Sequence, residues 1–242
     1  MSVVPLGISL KGYERRRPGE QGGAPFRSGY FARVAPEKGL SVLADAYVEL
    51  RRRTGDAPIR LDAAGYLSRA HEPYLEDVRH RLDKAGLKSE FTYHGAVDRS
   101  GKLAFLRSID VLSVPATYDE PKGVFLLEAM ASGVPVVQPR RGAFTEMVEK
   151  TGGGLLVAPD QVGALAEGLH TLWRDRSLTE KLRGASVRRV REHYSVAAMR
   201  LIVWSRRTNW RPAVVHRLRR ACAPLVNIDR GTLRVLSPCS PC

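Results

Sequence analysis

Short apolar, β-branched runs alternate with amphipathic stretches along most of this chain, and that alternation restricts it to few folds. The runs predict strands near 30–34, 58–64, 90–94, 109–114, 134–138 and 154–157. Helical periodicity falls between them at 37–53, 71–85, 99–107, 123–132 and 143–150, then at 161–174 and 177–193. In the first of these helices Leu40, Leu43, Ala44, Tyr47, Val48 and Leu50 recur at three- and four-residue steps, so one stripe faces a sheet. Strand and helix in strict alternation give a parallel sheet covered on both faces: an α/β, Rossmann-like, doubly wound domain. At 242 residues with 43% hydrophobic content, the chain holds enough apolar material for one such core.

Ligands of open α/β sheets bind outside the carboxyl ends of the strands, so charged residues there are the first candidates. Arg33 closes the first expected strand, and Lys38 stands at the start of the following helix. Two cations so placed can neutralise a diphosphate, the arginine through two parallel hydrogen bonds. From position alone, solvated surface charge is the plainer account of both. The stretch Tyr118–Val137, YDEPKGVFLLEAMASGVPVV, is more pointed. Glu120 and Glu128 lie on either side of Gly123, where an apolar helix opens, and Gly133 and Pro135 end it. A helix start offers unpaired backbone N–H groups to oxygen ligands, and neighbouring carboxylates accept hydrogen bonds from sugar hydroxyls. Glu128 sits among Leu126, Leu127, Ala129 and Met130, so its charge must be paired or turned toward a cleft.

This stretch resembles the E-x7-E signature of retaining glycosyltransferases of the GT-B fold, in particular glycosyltransferase family 4. YFARVAPEKGL at 30–40 resembles the same family's motif for the donor diphosphate, which falls here on Arg33 and Lys38. The resemblance covers about residues 3–205 and one half of a two-domain enzyme, the C-terminal, donor-binding half. It implies transfer of a sugar from a nucleotide-diphosphate-sugar donor, with retention, to a polysaccharide or glycolipid acceptor. By resemblance Arg33 and Lys38 stabilise the departing diphosphate and Glu120 lies by the donor sugar, which makes these three the catalytic candidates. Glu128 accepts from the ribose, and the backbone of Lys122, Gly123 and Val124 meets sugar hydroxyls. The nucleobase rests against the backbone at Val97, with Lys102 in reach of it; an ordinary lysine in a helix's first turn explains Lys102 equally well. No metal and no cofactor is implied.

The expected organisation is a linker-like segment over 1–29, a nucleotide-sugar-binding domain over 30–205 and a basic, disordered tail over 206–242. The opening VVPLGISLKGY resembles the family's interdomain linker. Two accounts stay open: a donor-binding half that works with a separate acceptor-binding chain, or an inactive nucleotide-sugar-binding fragment. Eight arginines against Asp229 put +7 of the net +14 into the tail, which lacks aromatic interleaving and helical periodicity. Nonspecific attraction to anionic lipid at a membrane face is therefore conceivable in electrostatic terms, but no specific nucleic-acid partner is expected.

Other chemistries lose their support along the chain. TGGGLLV at 151–157 precedes its strand, so it is neither a dinucleotide fingerprint nor a P-loop. No G-x-S-x-G elbow is present. His94 ends a strand alone and reads as structural, the histidines show no metal spacing, and Cys239 and Cys242 form an isolated pair. All three cysteines lie at or after Cys222, no apolar run approaches the ~20 residues of a membrane span, and MSVVPLGISL lacks the basic start of a signal peptide. A reducing cytoplasm is the expected compartment.

Overall fold

The computed structural model describes residues 6–14, 24–207, 226–229 and 232–235. Six strands form one parallel sheet: β1 (Phe26–Phe31), β2 (Ile59–Ala64), β3 (Phe91–Tyr93), β4 (Val111–Leu112), β5 (Val136–Pro139) and β6 (Gly154–Val157), in the order β3-β2-β1-β4-β5-β6. The helices between them are α1 (Leu40–Thr54), α2 (Glu72–Lys84), α3 (Arg99–Ser108), α4 (Val124–Ala131) and α5 (Gly142–Thr151), followed by α6 (Val162–Arg174), α7 (Arg176–Tyr194) and α8 (Val196–Arg207). This is the Rossmann-like α/β fold that the alternation predicts.

Period-two side-chain alternation divides the core between the two sheet faces. Val111 and Val137 join one apolar cluster with α1, α2 and α6, whereas Leu112 and Val136 join a second with α3, α4, α5 and α7. All the stripe residues of α1 named above are buried except Val48, which packs at the edge of the first cluster.

Three features depart from the expectation. The first strand runs Phe26–Phe31 and not 30–34. Ser28 and Gly29 look poor for a strand, yet both pair with β2 and β4, and Gly29 lies so close to Ile109 that a Cβ would stand 2.4 Å from its Cδ1. Tertiary fit overrides β propensity there. The helix α8 was not expected; it opens on Ser195, whose Oγ accepts from the Ala198 N–H at 3.0 Å, an N-cap arrangement. In the tail, Val226–Asp229 and Thr232–Val235 pair as an antiparallel ribbon, β7 with β8; the rest of 208–242 lies outside the described residues.

The centre of the sheet is tied by Asp110, just before β4. Its Oδ2 accepts from the Arg27 N–H at 2.9 Å and its Oδ1 from Arg183 of α7 at 3.0 Å. Both charges are buried, at 3% and 8% exposure. Removing one partner strands the other in a low dielectric, which costs about 3–5 kcal/mol. Asp110→Ala is therefore expected to lower unfolding stability by about 3 kcal/mol in urea titration, well beyond the loss from an exposed pair such as Arg79→Ala.

Candidate functional site

Strand order reverses direction between β1 and β4, the two central strands, so the crevice at their carboxyl ends is where such a sheet takes ligands. One wall is the loop from β1, which passes through a 3-10 turn at Pro36–Lys38 into Gly39 and α1. The other is the loop from β4 to Gly123, which opens α4. The two walls touch. Gly39 has φ +75°, and a Cβ on it would stand 2.1 Å from the Pro115 carbonyl oxygen. Thr117 N–H also donates to the Glu37 carbonyl at 3.0 Å.

That contact sets Lys38 on Glu120. Lys38 Nζ donates to Glu120 Oε2 at 2.5 Å and to the Tyr118 hydroxyl, while Tyr118 in turn donates to the same Oε2 at 2.5 Å. Lys38 also stands 4.9 Å over the Tyr118 ring and 5.8 Å over that of Phe125. Glu120 Oε1 faces the N–H groups of Lys122 and Gly123 at 3.3 and 3.4 Å. The backbone of Glu120 is clamped as well: its carbonyl accepts from the Ala143 N–H at 2.9 Å, and Gly142, at φ +50°, leaves no room for a Cβ beside it. Glu120 is thus buried and not a surface carboxylate.

Electrostatics follow from this enclosure. Burial alone would raise the Glu120 carboxyl, but the hydrogen bonds from Lys38, Tyr118 and the Lys122 amide outweigh it and bring the pKa down to about 2. Burial works against the Lys38 ammonium too, and again the bonds to Glu120 and Tyr118 win, leaving its pKa raised. Tyr118 is pushed up, first by burial and then by Glu120. Arg33 differs. It is 52% exposed and pairs with Glu37 at 2.5 Å, an i,i+4 contact of the kind that contributes little.

The second carboxylate has its own lysine. Glu128, on α4, accepts from Lys102 of α3 at 2.6 Å and from the Tyr13 hydroxyl at 2.7 Å. Val97, in the loop before α3, packs against the apolar cluster beneath this pair. Val124 begins α4, where first-turn N–H groups have no intrahelical acceptor. The structure thus brings Lys38, Lys122 and Gly123 together on Glu120 and Lys102 onto Glu128, while Arg33 pairs with Glu37 in the turn before Lys38. Tyr118 and Tyr13 were not anticipated. Tyr118, two residues from Glu120, could have been suspected; Tyr13, 115 positions from Glu128, gives no local signal. His94 is occupied structurally: its Nε2 meets Asp62 at 2.8 Å, and Asp62 also binds Arg27. Among the described residues no group of three His, Cys, Asp or Glu is placed to hold a metal ion, and no helix is long and apolar enough to cross a membrane.

Comparison with known proteins agrees with the geometry. The family model described as glycosyl transferases group 1 matches residues 14–189. A phosphatidyl-myo-inositol mannosyltransferase of Mycobacterium leprae is 32% identical over 168 residues, covering 69% of this chain and 42% of the relative. The chain therefore spans less than half the length of that relative. Among solved structures, Anabaena HepE in complex with UDP and glucose superposes with a TM-score of 0.73 at 20% identity, over 84% of this chain and 55% of that one. The C-terminal domain of a group 1 protein, LpcC of Francisella tularensis, does so with a TM-score of 0.70 at 21% identity, over 78% of this chain and all of that domain.

A carboxylate held below its ordinary pKa of 4.5 stabilises the fold above that value and ceases to do so as pH falls toward about 2. Thermal melts across that window should show wild-type stability falling with acid, while Glu120→Gln is less stable at neutral pH and declines less steeply.

Proposed function

The chain belongs to the group 1 glycosyl transferases, and from that premise we propose that it is the donor-binding half of a retaining, family 4 enzyme that transfers a sugar from a nucleotide diphosphate. The observation that carries the proposal is the pairing of each carboxylate of the Glu120 to Glu128 stretch with a lysine from a different element, Lys38 from the turn after β1 and Lys102 from α3. Such pairing holds both carboxylates in place before any ligand arrives, which is the pre-organisation that hydroxyl recognition requires.

In this reading Glu128 accepts from the ribose, with the base against the Val97 backbone and Lys102 beside it. The diphosphate lies between Arg33 and Lys38. Arg33 is free to reorient because its contact with Glu37 is exposed and weak; Lys38 is half-buried and stays on Glu120, so it offers its remaining N–H to phosphate oxygen. Both cations, with the amides at the start of α4, stabilise charge on the leaving diphosphate as the glycosidic bond breaks. Glu120 orients the donor sugar beside the amides of Lys122, Gly123 and Val124. These residues do this without a metal. The acceptor is proposed to be a hydroxyl of a polysaccharide or glycolipid, supported by the relative named for phosphatidyl-myo-inositol, and held by protein other than this donor-binding sheet. Work at the inner face of the cytoplasmic membrane fits an acceptor of that kind.

Equilibrium titration of the full chain with UDP, GDP and ADP tests the reading. One nucleotide is expected to bind selectively, and Glu128→Ala to weaken it by ~1.5–3 kcal/mol, about ten- to a hundredfold. Binding that is absent, or indifferent to Glu128, overturns it.

A further inference from the structure

We propose that Tyr13 is a positioning residue for Glu128, fixing the carboxylate so that one oxygen stays open to the ribose; this rests on the role given to Glu128 above. The two donors to Glu128 converge on the same atom. Tyr13 Oη and Lys102 Nζ both donate to Oε1, at 2.7 and 2.6 Å, and no hydrogen bond among the described residues falls on Oε2. Two bonds to one oxygen, one from α3 and one from the segment packed against it, fix the carboxylate plane. Vicinal hydroxyls can then bind at Oε2 without displacing either donor.

Tyr13 is itself firmly placed. It is 6% exposed and packs in the apolar cluster with α3 and α4. Its segment is tied to α3 by Arg99, which donates to the Lys11 carbonyl at 2.5 Å and lies 5.6 Å over the Tyr13 ring, and by Arg107, which reaches the Gly12 carbonyl at 3.3 Å. Farther back, Ile8 donates to the Tyr194 carbonyl at 2.7 Å and accepts from the Val196 N–H at 3.0 Å, bonding the segment to the junction of α7 and α8. The segment 8–13, which turns at Lys11–Gly12, thus connects the end of the helical layer to the carboxylate that meets the ligand. Burial and then the neighbouring Glu128 raise the Tyr13 pKa, so the hydroxyl remains a proton donor wherever the carboxylate is charged.

A neutral tyrosine acting only through Glu128 makes a prediction that simple packing does not. On the full chain, UDP and GDP are titrated alongside their 2′,3′-dideoxy counterparts, against wild type and Tyr13→Phe, which keeps the ring and its packing. The expected result is a loss of about three- to tenfold for the ribonucleotide alone, with dideoxynucleotide affinity unchanged. An equal loss on both nucleotides makes Tyr13 merely structural, and no loss on either makes its hydroxyl irrelevant; each overturns the proposal. A wild type that binds ribo- and dideoxynucleotides equally instead removes the ribose role of Glu128, and absence of any nucleotide binding removes the ground of both readings.

Discussion

The close approach of two loops at Gly39 is the constraint on which the site depends. With a Cβ excluded by the Pro115 carbonyl 2.1 Å away, the loop leaving β1 lies directly against the loop leaving β4. Those strands flank the point where strand order reverses, so the contact is made where the sheet already opens a crevice. Lys38 precedes Gly39 and Glu120 follows Pro115; the backbone contact therefore brings a cation and a carboxylate together without any search by their side chains. Gly142 repeats the device from α5, letting the helix start press on the Glu120 backbone. The backbone contact removes the cost of closing the two loops onto each other, and the bonds to Tyr118 and the two amides offset the rotamer entropy that Lys38 and Glu120 still lose.

Magnitudes separate the two cations. An exposed i,i+4 pair such as Arg33 with Glu37 is worth a few tenths of a kcal/mol, so the diphosphate of the proposed function would displace Glu37 at almost no cost. Lys38 is 13% exposed at its side chain and shares Glu120 with Tyr118 and two backbone amides. Stripping it from that network would leave a buried carboxylate short of its counter-charge, a loss of several kcal/mol. One cation is thus mobile and the other fixed, although the sequence motif presents them as equals.

Much of this was legible in the residues. The alternation of periods located six strands and seven helices within a few positions because each burial face is continuous in sequence. Where it failed, the cause was non-local. Arg27, Ser28 and Gly29 look like a turn until Arg27 finds Asp62 and Asp110 on neighbouring segments. Strand β4 shrank from the expected 109–114 to Val111–Leu112 because only these two residues register with β1, and only Leu112 with β5 as well. The start of α8 did carry a signal, Ser195 before an apolar run, which the charge of the following tail obscured. The two carboxylates were visible from spacing and apolar surroundings, and Glu128 indeed had to be paired. Its partners could not be read, since Lys102 and Tyr13 reach it from different elements.

The pairing also bears on what a bound ligand gains. An unpaired carboxylate buried beside apolar helix would incur the full cost of desolvation before recognising anything. Here Lys102 and Tyr13 offset that cost, and Lys38 and Tyr118 do the same for Glu120. A hydroxyl arriving at either carboxylate adds a hydrogen bond to a charge already satisfied, gaining the ~1.5–3 kcal/mol of a charge-assisted bond. The site therefore favours neutral hydroxyl donors over a second cation, because a lysine already neutralises each carboxylate. On the proposed reading that allocation assigns hydroxyl recognition to the two carboxylates and anion binding to Arg33, Lys38 and the helix start.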